Sequence, residues 1–174
     1  RVVISILGGT PRVALERAYP GRPVYRFMPN IPAELRQGML CYSPGALAGD
    51  GPESEILELF GRAGQVVELP EPLISPATAL MGCGPGFFAL VIEALTDAGV
   101  RHGLTPDQAV RLATGTMGGS AAVIAAGGHD PVALRRRVTS PGGSTAAGLE
   151  ALEANGLRAA FADAVQAVVE MTST

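Results

Sequence analysis

Lysine is absent from this chain of 174 residues, in which all 13 basic side chains are arginine. Its absence removes Schiff-base catalysis on a lysine amine and the phosphate-gripping lysine of a nucleotide-binding P-loop. Cysteine and histidine are scarce, with two of each. Cys41 and Cys83 lie far apart and show no Cys-x-x-Cys spacing, so they read as packed thiols rather than a disulfide. His102 and His129 alone do not complete a metal site and read as surface or capping residues. Like charges cluster only at Arg135-Arg136-Arg137 and the net charge is −3, which leaves little electrostatic footprint for nucleic acid. No uninterrupted apolar run approaches the roughly 20 residues that span a bilayer, and no basic-then-apolar segment opens the chain. On this reading the chain is cytoplasmic and has no membrane partner.

What remains is rich in small and apolar residues. A hydrophobic content of 47% and a mean hydropathy of +0.28 predict a folded core. The β-branched run Val2 to Leu7 predicts a strand ending at Gly8-Gly9, and Pro11 to Tyr19 has helical spacing. Strands follow at Pro23 to Met28 and Met39 to Ser43, then a helix over Glu53 to Arg62 and a strand over Gln65 to Leu69. Beyond about Pro70 only helical periodicity remains. Ile74 to Met81 predicts a short helix, Gly82-Cys83-Gly84-Pro85 a break, and Pro85 to His102 a longer helix. Thr105-Pro106-Asp107-Gln108 is a helix start, with threonine as cap and glutamine three residues on, for a helix reaching Ala126. Gly115, Gly118 and Gly119 weaken that helix unless close packing compensates. Shorter helices are expected over Asp130 to Arg137 and Ala146 to Ala154, and a last one through Met171. Their apolar residues, among them Leu90, Leu95, Leu112, Val123, Leu152 and Phe161, spread around more than one face and predict a helical dimer. Glu93 and Asp97 lie four apart and read as structural partners rather than an acid/base pair.

One turn invites chemistry. In Val138-Thr139-Ser140-Pro141-Gly142-Gly143-Ser144-Thr145 a proline, paired glycines and hydroxyls precede a helix, whose first N–H groups have no internal partners and sit at the positive end of its dipole. Such a turn can grip a carboxylate or phosphate. Taken in isolation it reads first as a plain helix start, with Ser144 or Thr145 as cap, and only its context can favour a binding site.

Context comes from the ordered set Ile4-Ser5-Ile6-Leu7-Gly8-Gly9-Thr10, Arg26-Phe27-Met28-Pro29-Asn30-Ile31-Pro32, Gly82-Cys83-Gly84-Pro85-Gly86-Phe87, Asp97-Ala98-Gly99-Val100 and the 138–145 turn. Together these resemble the pyrroline-5-carboxylate reductase family over nearly the whole chain. The resemblance implies an α/β N-terminal remnant of a Rossmann-like domain over residues 1–70, followed by an all-α dimerisation and substrate-binding domain over 71–174. It implies an oxidoreductase using NADPH or NADH to reduce the cyclic imine 1-pyrroline-5-carboxylate to L-proline, the last step of proline biosynthesis. The implied assembly is a homodimer, in some members built into decamers. Thr145 is implied as the catalytic hydroxyl beside the imine nitrogen, with Ser140, Gly142, Gly143, Ser144 and Thr145 binding substrate. Gly8, Gly9, Met28, Asn30 and Pro32 are implied on the cofactor side, where Asn30 either bonds the carboxamide or holds its own turn.

The sequence departs from the family pattern in three places. The GxGxxG fingerprint and the rest of a first nucleotide-binding half are missing and Arg1 is not a methionine, so the chain is expected to be a fragment that binds dinucleotide weakly or not at all on its own. The family usually has serines at the positions of Met81 and Cys83, alanine at Gly86 and often tyrosine at Phe87. Ile31 stands where threonine is usual. These changes keep two alternatives open: an inactive dimerisation fragment, and a reductase of the same fold acting on a different cyclic imine.

Overall fold

Connection length sets the strand directions in the first part of the chain. In the computed structural model, which describes residues 1–172, the order is β1 (Val3–Ser5), α1 (Arg12–Ala18), β2 (Val24–Met28), β3 (Gly38–Pro44), α2 (Glu53–Gly61) and β4 (Gly64–Glu68). The strands form one sheet in the order β1-β2-β3-β4. β1 and β2 pair parallel across α1, and β3 and β4 pair parallel across α2. Residues 29–37, with only a 3-10 turn at Ile31–Leu35, are too short for a crossover, so β2 and β3 pair antiparallel. The result is a small mixed sheet, Rossmann-like in its βα units and followed by helices.

The core of this sheet is aromatic. Tyr25, Phe27, Tyr42, Ala48 and Ile56 are buried together, and the ring of Phe60 stacks on Phe27 with centroids 3.8 Å apart. Both buried phenols find acceptors, Tyr25 donating to the Ala48 carbonyl oxygen at 2.7 Å and Tyr42 to the Glu53 carboxylate. Burial, reinforced by the Glu53 carboxylate, pushes both phenols above their usual range.

The chain divides into two compact units, Arg1–Pro85 with Ala164–Thr174, and Gly86–Asp163. In the first, the expected helix over Ile74 to Met81 and the break after it take another form. A 3-10 turn (Glu71–Leu73) leads into α3 (Ile74–Ala77), a wide π turn (Thr78–Gly82) and then α4 (Gly84–Arg101). The Cys83 N–H reaches back five residues to the Thr78 carbonyl oxygen at 3.0 Å. Glycine and proline therefore widen the helix here instead of ending it. The expectation that no apolar run is long enough for a bilayer also needs correcting. The helical stretch Glu71–Arg101 passes that test by length and composition. Length and composition alone do not place it in a bilayer, because the core helix of a protein folded in water passes the same test.

In the second unit, local signals fix the helix starts. Thr105 and Gln108 form a reciprocal capping box at 3.3 and 3.0 Å, opening α5 (Pro106–Ala126). Asp130 caps α6 (Pro131–Arg137) through the Ala133 N–H at 2.9 Å. α7 (Ser144–Ala154) follows, and α8 begins at Leu157 and runs to Thr172. Burial is sparse: Ala109 is the one buried residue of α5, and α6, α7 and α8 have none. Phe88, Leu90, Leu95 and Leu112 each expose more than half of their surface. A Cβ on Gly115, Gly118 or Gly119 would meet nothing within 4 Å. The several-sided burial that the apolar pattern predicts is not supplied by the chain itself.

Gly64 pairs with Gly38 at the start of the β3–β4 ladder, has φ +154° and would place a Cβ 2.0 Å from the Gly38 carbonyl oxygen. Gly64→Ala is expected to lower unfolding free energy by about 2–3 kcal/mol, through overpacking and backbone strain together. A urea titration followed by circular dichroism measures it.

Candidate functional site

Gly8 and Gly9 follow β1, and Met28 ends β2, the strand hydrogen-bonded beside it. A Cβ on Gly8 would sit 3.3 Å from the Met28 Cε, whereas at Gly9 it would meet nothing within 4 Å. The two glycines thus give a tight backbone on one side and an open one on the other. They line a cavity of about 590 Å³ together with Met28, Arg26, Glu71 and Thr78. Exposed glycine backbone beside a methionine side chain suits the approach of a flat ring.

Arg26 and Glu71 escaped the sequence reading. Arg26 sits in the middle of β2 and is only 6% exposed, so its charge demands a partner. Its guanidinium pairs with the Glu71 carboxylate through Nη1, and Nη2 donates to the Gly8 carbonyl oxygen at 2.9 Å. The same Glu71 Oε1 accepts the Arg12 backbone N–H at 2.8 Å. That N–H belongs to the first residue of α1, whose cap position is Pro11 and offers no side-chain acceptor. Burial pushes the Glu71 carboxyl up, but the Arg12 N–H, the neighbouring Ser43 hydroxyl and the Arg26 guanidinium outweigh it, and the net shift is below the ordinary 4.5. The available signals were an arginine inside an apolar strand and a glutamate opening a helical run.

Asn30 holds more than its own turn. Its Oδ1 accepts the Met39 N–H at 2.9 Å and its Nδ2 donates to the Met81 carbonyl oxygen at 2.9 Å. Met81 needs that donor, because the residue four positions on is Pro85, which has no N–H. Both ends of the Asn30 amide are therefore used inside the first unit. Pro32 opens the 3-10 turn that follows Asn30.

The 138–145 turn lies in the second unit. Thr139 Oγ1 donates to the Arg135 carbonyl oxygen at 2.6 Å, closing the end of α6. Gly142 has φ +70°, a conformation glycine adopts without strain. The helix cap is Gly143, not Ser144 or Thr145, and it makes no side-chain cap bond. Serine and threonine lose that position because the turn already brings the Gly143 N–H onto the Ser140 carbonyl oxygen at 3.0 Å. Ser144 and Thr145 become the first helical residues. Among the described residues, no partner accepts their backbone N–H groups, and both side chains are exposed. A Cβ on Gly143 would fall 2.4 Å from Ser140 Oγ, so glycine also makes room for that hydroxyl. Two free N–H groups and hydroxyls at a helix start are competent to hold a carboxylate.

No group of three or more His, Cys, Asp or Glu able to hold a metal occurs among the described residues. Cys41 is buried and Cys83 half-buried, both as free thiols. A second cavity, about 690 Å³ and almost wholly apolar, lies in the second unit between Phe88, Leu95, Leu104, Leu112 and Ile124.

Residues 71–174 match the family model described as pyrroline-5-carboxylate reductase dimerisation. The pyrroline-5-carboxylate reductase of Synechocystis sp. is 38% identical over 166 residues, covering 95% of this chain and 62% of the relative. That of Methanosarcina acetivorans is 39% identical over 166 residues, with the same coverages of 95% and 62%. Among solved structures, the pyrroline-5-carboxylate reductase of Coxiella burnetii superposes with a TM-score of 0.92 at 32% identity, covering 99% of this chain and 64% of that one. The Plasmodium falciparum pyrroline carboxylate reductase with NADP bound gives 0.90 at 31% identity, covering 99% and 70%. The chain thus spans less than two thirds of the length of these curated relatives.

Two outcomes test this geometry. Asn30→Ala strips the Met81 carbonyl of its donor and is expected to cost about 1–3 kcal/mol of stability, read from the denaturation midpoint. For Glu71, the folded value lies below the unfolded one. Its carboxylate therefore stabilises the fold above the ordinary value of 4.5, and that contribution fades as pH falls through the depressed folded value. Acid unfolding of Glu71→Gln is expected to lack this part of the decline.

Proposed function

The chain belongs to the pyrroline-5-carboxylate reductase family, and on that premise we propose that the protein carrying it reduces 1-pyrroline-5-carboxylate to L-proline with NADPH or NADH. The observation that carries this reading is the 138–145 turn, with two free N–H groups beside exposed hydroxyls at a helix start. The substrate carboxylate takes the Ser144 and Thr145 N–H groups, with Ser140 and the glycines Gly142 and Gly143 shaping the approach. The substrate enters as the iminium, its nitrogen already protonated, and the Thr145 hydroxyl oxygen accepts a hydrogen bond from that N–H, so that hydride addition at carbon leaves a neutral secondary amine with no further proton required. When bound, a reduced nicotinamide supplies the hydride for the imine carbon. On that side, Gly8, Gly9 and Met28 form the wall, while Asn30 and Pro32 fix the backbone behind it. A C=N bond already protonated at nitrogen needs no histidine dyad, in keeping with the scarcity of histidine.

The 71–174 region serves as the dimerisation and substrate-binding domain in this proposal, and residues 1–70 as the end of a dinucleotide-binding domain. A homodimer is supported by the family match and by the apolar helix faces that the chain leaves uncovered. Because the chain spans only part of its relatives, it is assigned the substrate grip and the cofactor's nicotinamide side but not the whole dinucleotide site.

Mixing the full-length protein with reduced dinucleotide and pyrroline-5-carboxylate is expected to consume the absorbance at 340 nm, a wavelength set by the cofactor itself. Turnover of another cyclic imine alone would instead point to Met81, Cys83 and Phe87 as a changed pocket, and no turnover with any would leave a dimerisation role. Thr145→Val is expected to lower kcat by about 100-fold while the dimer elutes unchanged from a sizing column. Full activity in that variant would remove Thr145 from the mechanism.

A further inference from the structure

The Gly8–Pro11 segment has little packing of its own to fix its shape. Gly8, Gly9 and Pro11 are exposed and Thr10 is only partly covered, while a Cβ on Gly9 would touch nothing within 4 Å. Yet the segment is held at both ends by one ion pair. At its start the Gly8 carbonyl oxygen accepts from Arg26 Nη2 at 2.9 Å, and just past its end the Arg12 N–H donates to Glu71 Oε1 at 2.8 Å. Arg26 and Glu71 are bonded to each other and both line the cavity beside the glycines.

We infer that Arg26 and Glu71 are positioning residues for the nicotinamide wall, a pair that suspends the Gly8–Pro11 segment in the shape the ring meets. The inference rests on the reading that Gly8 and Gly9 face the nicotinamide. Two glycines and no packed side chain leave the segment many conformations, and the pair removes them before a ligand arrives. Neither residue touches the substrate's reacting atoms. Their effect falls on dinucleotide affinity and leaves the imine grip in the second unit alone.

The experiment uses the full-length protein and the variants Arg26→Met, Arg26→Lys and Glu71→Gln. Hydrogen–deuterium exchange followed by mass spectrometry reports on the segment without any ligand, and fluorescence titration with NADPH gives the dinucleotide Kd. In Arg26→Met and Glu71→Gln, exchange of the Arg12 amide, whose N–H is bonded to Glu71 just past the segment, is expected to quicken about 10-fold while the ladder amides of Leu40 and Val66 keep their protection. The Kd is expected to rise about 10-fold with KM for the imine unchanged, a split that general loss of stability would not produce. Arg26→Lys keeps the charge toward Glu71 but loses the fork that also reaches Gly8, and is expected to fall between the wild type and those two variants. Should Arg26→Met fail to fold, the other two variants carry the test. Unchanged exchange at Arg12 overturns the inference, and so does quickened exchange there with unchanged Kd. If the wild type binds no dinucleotide, the reading of the site fails instead, and the exchange data still decide whether the pair holds the segment.

Discussion

A single carboxylate organises the first unit. Glu71 neutralises an arginine inside the sheet, caps α1 and opens the helical run that leads away from β4. Each of these tasks alone has cheaper solutions: an apolar residue in place of Arg26, or a serine or aspartate in front of α1. Buried ion pairs contribute little net stability, because removing two charges from water costs nearly what their attraction returns. What the pair supplies is a fixed relation between three places separated in sequence: the link from β1 to α1, the middle of β2 and the start of the helices at Glu71.

Asn30 works by the same logic just beyond the end of β2. A proline at position 85 is compatible with a continuous helical path only if some other donor serves the Met81 carbonyl, and an amide 51 residues earlier does so. The π turn and the asparagine are therefore one device. Replacing either Pro85 or Asn30 changes the demand that the other meets.

Much of the fold was legible because its signals are local. Alternation and β-branching gave the four strands, and Thr105-Pro106-Asp107-Gln108 gave the start of α5 down to the capping box. The short 29–37 link contained the antiparallel pair for anyone counting residues. Misreadings came where a distant partner decides the outcome. Gly82 to Pro85 looks like a helix break until Asn30 is known to lie against Met81, and Ser144 and Thr145 look like caps until the Gly143 N–H is seen to fold back onto Ser140. Arg26 and Glu71, 45 residues apart, offer no pattern that connects them. The 138–145 turn was legible as residue types, open to an anion grip and to a plain helix start alike, but which of its N–H groups lack an acceptor depends on how the turn folds back on Ser140.

The glycines of α5 have one more consequence. Gly115, Gly118 and Gly119 each lower helix propensity by about 1 kcal/mol against alanine, and inside the chain no neighbouring atom comes within 4 Å of where their side chains would be. The capping box makes the N-terminal turn of this helix its firmest part, while the glycine-bearing turns lie beyond it and hold no fully buried residue. Taken by itself the chain is expected to hold the turns from Gly115 toward Ala126 less firmly than the capped start, and a surface laid along that bare backbone would lend the helix its full length.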